Sequence, residues 1–127
     1  MIYLGATSEY VFGRGGDDQI FGGDAGIQFH GGSGSDTFAA GSGYDVLDYS
    51  DDGFDLWGPS LDGVAVTLTA AGEGSAIDNW GYTDSFSGIE AVVGSAFADT
   101  MTGAAGNDEF YGLDGNDTLF GGAGNDR

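Results

Sequence analysis

The chain contains no cysteine and no lysine, and it has one histidine, one proline and two arginines. Without cysteine, no disulfide can stabilise the fold, which leaves a buried core or bound metal to do so. No apolar run approaches the length of about 18 residues that a membrane-spanning helix requires. The first four residues also lack the basic start and long apolar region of an N-terminal secretory signal.

Positive charge is almost absent, because 21 acidic residues stand against two basic ones and give a formal net charge of −19. This charge excludes nucleic acid and an anionic membrane face as partners. It also opposes a compact state unless cations neutralise it. One interpretation is a solvated, disordered acidic chain. The other is a folded chain whose acids occupy fixed positions of a repeat, which the recurrence of aspartate at one repeat position favours.

A nine-residue template recurs along the chain, and Gly31–Ala39 (GGSGSDTFA) is a good example of it. Its glycines permit positive φ and close backbone approach, and its aspartate at position 6 supplies a hard anionic oxygen. The other copies are Gly13–Phe21, Gly22–His30, Ala40–Asp48, Gly94–Thr102, Gly103–Tyr111, Gly112–Phe120 and the truncated Gly121–Arg127. Self-similarity at a fixed period predicts a repeat architecture.

Positions 7 to 9 are long enough only for a short strand, in which alternate side chains point to opposite faces. Position 8 is apolar in every complete copy and is predicted to face a core: Ile20, Phe29, Phe38, Leu47, Met101, Phe110 and Leu119. Positions 7 and 9 are predicted to face outward, which makes His30 an ordinary surface histidine. Residues 4–12 fall in the same frame as a degenerate first copy, with Val11 at position 8.

These copies resemble the repeats-in-toxin family, whose hemolysin-type calcium-binding nonapeptide reads GGxGxDxUx. The resemblance implies an all-β fold, a right-handed parallel β-roll (a β-helix or solenoid) with two nonapeptides per coil. It also implies Ca²⁺ between turns that lie eighteen residues apart. Strands spaced by about 4.8 Å suit an ion that takes oxygen ligands at about 2.3–2.6 Å. Magnesium, which prefers shorter bonds and retains its waters, suits such a slot poorly.

In that family the ligands are the backbone carbonyls at positions 2 and 4 and the carboxylate at position 6. Two positions depart from the pattern: Ile27 replaces the aspartate at position 6, and Phe97 replaces the glycine at position 4. A backbone ligand is expected to be indifferent to its side chain, so non-glycine residues at position 2 are predicted to be tolerated. Carried onto this chain, the implied ligands are Arg14, Gly16, Asp18, Gly32, Gly34, Asp36, Gly41, Gly43, Asp45, Asp99, Ala104, Gly106, Asp108, Leu113, Gly115, Asp117, Gly122, Gly124 and Asp126.

Pairing of turns eighteen residues apart predicts three Ca²⁺ sites with two carboxylates and a fourth with one. The three complete pairs are Asp18 with Asp36, Asp99 with Asp117, and Asp108 with Asp126. In the fourth, Asp45 pairs with Ile27.

The organisation predicted is a first repeat block at 1–50, an irregular β insert at 51–93 and a second, truncated block at 94–127. Alternation of Val64, Val66 and Leu68 predicts one strand in the insert, and alternation of Ile89, Ala91 and Val93 predicts another. A turn is predicted at 71–74. The insert is interpreted as wider coils that continue the roll, with a bulge between 51 and 62. A separate small domain is the alternative, although so short a segment buries little core.

No catalytic pattern is present, because the chain has neither HExxH nor a nucleophile paired with a base. The adjacent acids Asp17/Asp18 and Asp51/Asp52 point apart on a strand and do not suggest acid–base chemistry. The chain is therefore not predicted to be an enzyme. Since it stops at Arg127, inside a repeat, we expect it to be a piece of a longer protein.

The function predicted is a calcium-binding, calcium-folded module of a larger bacterial protein exported by type I secretion, located outside the cell or at its surface. Its expected partners are Ca²⁺ and the remainder of the parent chain. The alternative is a polysaccharide-binding or adhesin module in which Trp57, Trp80 and Tyr82 form a stacking platform for a glycan. Those aromatic residues could equally pack over the narrow roll.

Overall fold

The computed structural model describes residues 1–7, 9–50 and 62–127, and these ranges contain strands and turns without a helix. Most strands are three residues long because each nonapeptide leaves only positions 7 to 9 for extended backbone. The strands are β1 Ile2–Tyr3, β2 Glu9–Gly15, β3 Gln19–Phe21, β4 Ile27–Ser33, β5 Thr37–Ala39, β6 Val46–Asp48, β7 Ala65–Ala70, β8 Glu73–Ile77, β9 Thr83–Ser87, β10 Ala91–Val93, β11 Thr100–Thr102, β12 Glu109–Tyr111 and β13 Thr118–Phe120.

The strands form two sheets, with successive repeat strands alternating between them. The larger sheet has the order β1-β3-β5-β9-β8-β7-β11-β13, and the smaller has the order β12-β10-β6-β4-β2. Within the repeat blocks the pairing is parallel with a register of eighteen residues, as in Ile20↔Phe38 and Met101↔Leu119. The predicted all-β parallel roll with two nonapeptides per coil is therefore confirmed.

The core is a file of position-8 side chains between the two sheets. Ile20, Phe29 and Leu47 are completely buried, and the rings of Phe29 and Phe38 meet across the core at a centroid distance of 5.6 Å. Leu119 keeps the predicted register but is 45% exposed. It lies in β13, the last strand of its sheet, so among the described residues no further coil covers it.

The degenerate first copy forms a coil of the roll, as its frame predicts. Val11 pairs with Phe29 in the parallel β2–β4 ladder and is 7% exposed. His30, in contrast, is not a surface residue: it is 5% exposed, and its ring stacks on Phe12 of the neighbouring strand at 4.5 Å. The prediction of an ordinary surface histidine is wrong because position 9 of this central strand packs against a cross-strand aromatic ring.

The insert continues the roll, but it does so through an antiparallel hairpin in one sheet. Strand β9 pairs in parallel with β5, so it takes the place of the next coil. Strand β8 is antiparallel to both β9 and β7, and β7 then pairs in parallel with β11. The smaller sheet runs directly from β10 to β12. The hairpin therefore adds two strands to one sheet only.

Chain reversal between β7 and β8 occurs at Ala71 and Gly72, within the predicted turn, and Gly72 has a φ of +68°. The strand predicted from alternation at 64–68 is present, with Val64 and Val66 buried. The bulge predicted between 51 and 62, together with Asp51, Asp52 and Trp57, falls largely outside the described residues. The division at 50 and 93 stays a prediction.

The register of β10 differs by one residue from the predicted alternation. Val92 pairs with Leu47 and with Phe110, so it occupies position 8 and joins the core. Val93, which was expected to share a face with Ile89 and Ala91, is only half-buried. Alternation among neighbouring apolar residues could not fix the register here, because Ile89, Ala91 and Val92 are all buried.

Candidate metal centre

Four sixth-position aspartates reach back to the preceding coil on the same side of the roll. Oδ1 of each accepts a hydrogen bond from the backbone N–H of the sixth residue one coil earlier. The bonds are Asp18 N to Asp36 (2.9 Å), Ile27 N to Asp45 (2.8 Å), Asp99 N to Asp117 (3.0 Å) and Asp108 N to Asp126 (3.1 Å). The structure thus brings together all the predicted turn pairs, including the one in which Ile27 replaces aspartate.

The second carboxylate oxygen turns toward the start of its own repeat. Oδ2 of Asp108 accepts a hydrogen bond from the N–H of Ala104 at 2.9 Å. A Cβ added at Gly31 would lie 2.5 Å from Oδ2 of Asp36. The same clash recurs in the Gly94, Gly103, Gly112 and Gly121 copies, at 2.2 to 2.5 Å from the sixth-position Oδ2. In these five copies the carboxylate occupies the space that a side chain at position 1 would need, whereas the copy Ala40–Asp48 has alanine there.

Positions 2 and 4 stack on the same positions of the neighbouring coil. A Cβ on Gly34 would lie 2.4 Å from the carbonyl oxygen of Gly16, and one on Gly124 would lie 1.6 Å from that of Gly106. At position 2, a Cβ on Gly32 would lie 1.8 Å from the carbonyl oxygen of Arg14. The carbonyls assigned as ligands are thus arranged in files along the turns, beside the file of carboxylates.

Position 2, where non-glycine residues are predicted to be tolerated, is not free of backbone strain. Arg14 and Leu113 have φ values of +77° and +66°, whereas Ala104 at the same position does not have a positive φ. A left-handed conformation costs an L-residue with a Cβ roughly 1–2 kcal/mol. Two of the four non-glycine residues at this position therefore carry backbone strain, while Ala104 and Ser95 do not.

Phe97 at position 4 keeps its carbonyl in the file, since a Cβ on Gly115 would lie 2.3 Å from the oxygen of Phe97. The departure from glycine at that position thus does not displace the backbone. Whether each of the nineteen assigned residues ligates a metal stays a prediction.

Several sixth-position carboxylates are buried without a compensating positive charge. Asp36 and Asp45 are 1% and 0% exposed, and Oδ2 of each is buried without a hydrogen-bond partner among the described residues. Burial raises the pKa of Asp36 to about 6, and the charges of Asp18, Asp78 and Asp17 add to this shift. Burial also raises the pKa of Asp45. Buried anionic oxygens that lack donors are costly, and a bound cation would satisfy them.

Two acids of the insert, Asp84 and Glu90, also accept a hydrogen bond from the N–H of a sixth-position residue. Neither was predicted from the sequence. The N–H of Asp36 donates to Oδ1 of Asp84 at 2.8 Å, and the N–H of Asp45 donates to Oε2 of Glu90 at 2.7 Å. The sequence separations are 48 and 45 residues instead of eighteen, so a search at fixed period cannot find them. The available signal was an acid two residues before an inward apolar residue, as in Asp84–Phe86 and Glu90–Val92.

Within the described ranges, no group of three or more His, Cys, Asp or Glu side chains is arranged to hold a metal. This agrees with turns that present one carboxylate per coil, because a full calcium shell of six to eight oxygens would then need backbone carbonyls. The stacked carboxylates and backbone carbonyls along the turns suit such a mixed oxygen shell.

The fold and these turns together define a calcium-binding β-roll. A family profile for the RTX calcium-binding nonapeptide repeat matches four copies, at residues 3–25, 28–48 and 93–127. The chain therefore belongs to that family and is a calcium-binding repeat module. A comparison with curated proteins finds no match. In the described residues no helix has the length and apolarity needed to cross a membrane.

Proposed function

We propose that this chain is a calcium-driven folding and stabilising module of a larger bacterial protein that leaves the cell by type I secretion and works outside it. The observation that carries the proposal is the file of buried sixth-position carboxylates, in which Oδ2 of Asp36 and of Asp45 lacks a hydrogen-bond donor. Membership in the repeat family supports export, since proteins with these repeats are typically secreted. The module itself is assigned no enzymatic activity.

A metal requirement follows from the small core. Each nine-residue copy contributes one inward apolar side chain, and the 27 glycines lose much conformational entropy on folding. An ion that binds only the folded chain at tenfold over its Kd adds about 1.4 kcal/mol. Three such ions add roughly 4 kcal/mol, which is close to the whole stability of a small domain.

Because calcium binding is coupled to folding, the calcium concentration decides on which side of the cell envelope the module folds. The ligand set exists only when turns of successive coils are stacked, so the unfolded chain has no comparable site. Extracellular calcium modules often have Kd values of about 10⁻⁴–10⁻³ M, far above the calcium of a cytosol. The chain would remain unfolded before export, when its charge of −19 is uncompensated, and would fold on meeting calcium outside.

The ions would lie between stacked turns, at the three predicted pairs Asp18–Asp36, Asp99–Asp117 and Asp108–Asp126. The fourth predicted site, between Ile27 and Asp45, has a single carboxylate. Glu90 lies on the other side of Asp45, where its Oε2 accepts from the N–H of Asp45, so it does not complete that site. The number of occupied sites is a proposal that calorimetry can count.

The direct test is far-UV circular dichroism of the calcium-stripped chain, titrated with Ca²⁺ and separately with Mg²⁺. Calcium should convert a disordered spectrum into a strand spectrum, and magnesium at the same concentration should not. At pH 7.5, a strand spectrum that persists in excess chelator, or that magnesium restores equally well, would refute the proposal.

A second candidate function, glycan binding, is favoured by one surface feature. A pocket of about 450 Å³ is lined by Trp80 and Tyr82 beside the turns that contain Asp17 and Gly34. Aromatic rings beside carboxylate and backbone groups can stack on and hydrogen-bond a sugar. Trp57, the third aromatic residue of this prediction, lies outside the described residues. The test is a glycan array probed in calcium: Trp80→Ala should abolish binding, and Tyr10→Ala, an exposed aromatic of β2, should not.

A further inference from the structure

We infer that the turn between β8 and β9 completes an additional calcium site, in which Asp78 and Asp36 supply carboxylate oxygens from opposite sides of the coil boundary. The inference rests on the proposed calcium-binding function, but it concerns a residue of the insert. Asp78 lies outside the segments that match the repeat profile, and it has no counterpart in the nonapeptide pattern.

Asp78 is held rigidly by its own turn. Its Oδ1 accepts hydrogen bonds from the N–H groups of Trp80 at 2.9 Å and Tyr82 at 2.7 Å. Its N–H donates to the carbonyl of Tyr82 at 2.9 Å. Oδ1 is therefore used in fixing the turn, and two backbone N–H groups orient the carboxylate.

The other oxygen of Asp78 is the unexplained feature. Asp78 is 2% exposed, and its Oδ2 is buried with no hydrogen-bond partner among the described residues. Oδ2 of Asp36 is in the same condition. The turns that carry the two carboxylates adjoin each other, because Trp80 and Tyr82 line the same pocket as Gly34. Two unsatisfied anionic oxygens are thus buried at one coil boundary.

Asp84 supplies a third carboxylate at this boundary, and both of its oxygens already accept hydrogen bonds. Its role therefore differs from those of Asp36 and Asp78. Oδ1 of Asp84 accepts from the N–H of Asp36 at 2.8 Å, and Oδ2 accepts from the hydroxyl of Tyr49 at 2.9 Å. Asp84 therefore holds the two coils together, while Asp36 and Asp78 retain one oxygen each for a ligand.

The ligand that fits is a hard divalent cation. The chain has no lysine; Arg14 is exposed, and Arg127 lies by Glu109 in the last coils. Two carboxylate oxygens beside backbone carbonyls form the ligand type that calcium takes in irregular geometry. One full coil after Gly31–Ala39, on the same side of the roll, the sequence has no nonapeptide turn. The turn of the insert that contains Asp78 would take its place.

Calorimetric titration of the full chain with Ca²⁺ tests this, using Asp78→Asn and the matched control Glu73→Gln. Asparagine keeps an oxygen to cap the turn and removes the charge. Glu73 lies on the same hairpin and is exposed, so its substitution removes equal charge. Asp78→Asn should bind one calcium fewer than the parent, and Glu73→Gln should bind the same number. An unchanged stoichiometry and affinity in Asp78→Asn would overturn the inference.

A spectroscopic measurement keeps the test decisive if Asp78→Asn folds poorly. Trp80, two residues from Asp78, can sensitise luminescence of Tb³⁺, which prefers the same oxygen ligands as Ca²⁺. In a Trp57→Phe background, the only tryptophan is Trp80; Tb³⁺ emission excited through it should appear and be lost on adding Ca²⁺. Absence of that emission, or its persistence in Trp57→Phe/Asp78→Asn, would overturn the inference. If the parent chain bound no calcium at all, the proposed function itself would fail.

Discussion

Replacing Asp117 and, separately, Asp114 by alanine removes the same charge from the same repeat at two different positions. Asp117 occupies position 6, where its Oδ1 accepts from the N–H of Asp99 at 3.0 Å. Its Oδ2 lies where a Cβ on Gly112 would be, 2.4 Å away. Asp114 occupies position 3 and is exposed. We expect Asp117→Ala to weaken calcium-dependent folding much more than Asp114→Ala does.

The magnitude for Asp117→Ala has two parts. A hydrogen bond to a charged acceptor contributes about 1.5–3 kcal/mol, with the lower figure suited to this half-buried position. Loss of one calcium site removes about 1.4 kcal/mol at tenfold over Kd. Together these give roughly 3 kcal/mol. A surface charge such as that of Asp114 is expected to change the free energy of unfolding by no more than about 0.5 kcal/mol.

Asp117→Asn separates the two parts, because asparagine can still accept the hydrogen bond from Asp99 but offers no anionic ligand. The assay is the calcium midpoint of folding, followed by far-UV circular dichroism, together with urea unfolding at saturating calcium. The midpoint should rise in the order parent, Asp114→Ala, Asp117→Asn, Asp117→Ala. Equal shifts in Asp114→Ala and Asp117→Ala would show that bulk acidity, not the sixth position, governs folding.

Three further predictions address acid titration, backbone strain and steric fit. Burial raises the pKa of Asp84 to about 7 and that of Asp36 to about 6. Above pH 3.8 the ion-free folded chain therefore binds more protons than the unfolded chain, so its stability should fall as pH rises from 4 to 7. Circular dichroism of the calcium-stripped chain should show more strand at pH 5 than at pH 7.5. Leu113→Gly should relieve the strain of a φ of +66° and stabilise the calcium-bound chain by about 1 kcal/mol in urea unfolding, whereas Ala104→Gly should not; equal effects would contradict the strain argument. Gly31→Ala places a Cβ 2.5 Å from Oδ2 of Asp36, so it should destabilise by about 2 kcal/mol or more and weaken calcium binding; unchanged calcium affinity would show that the carboxylate moves freely.

The repeat period was sufficient to predict the roll within both blocks. A side chain at position 8 alternates to the inner face in every copy, so Phe29, Phe38 and Leu47 could be assigned to the core from sequence alone. The turn pairs could also be assigned, because a constant period fixes which residues stack. Burial at the end of the stack could not be, since Leu119 has the pattern of a core residue.

The directions of the strands in the insert could not be predicted from the sequence, for a physical reason. A strand that belongs to a repeat and a strand that belongs to a hairpin share the same alternation, so Val64, Val66 and Leu68 predict a strand without its direction. The direction is decided by the tight turn at Gly72 and by cross-strand pairing, such as Val66 with Ala76. Neither property has a period of nine.

The bond from a backbone N–H to a carboxylate on the next coil is preserved across the insert. Between Asp36 and Asp84 the chain adds a hairpin, yet the N–H to carboxylate bond spans 2.8 Å, as it does between Ile27 and Asp45 in regular repeats. On the opposite side of the hairpin, the N–H of Val64 reaches Asp99 at 2.8 Å. Sequence spacing is therefore free to vary, while the spacing between an acid and the backbone of the preceding coil is not. The hairpin therefore keeps the stacking of neighbouring coils, about one strand separation of 4.8 Å apart, on which the proposed ion sites rely.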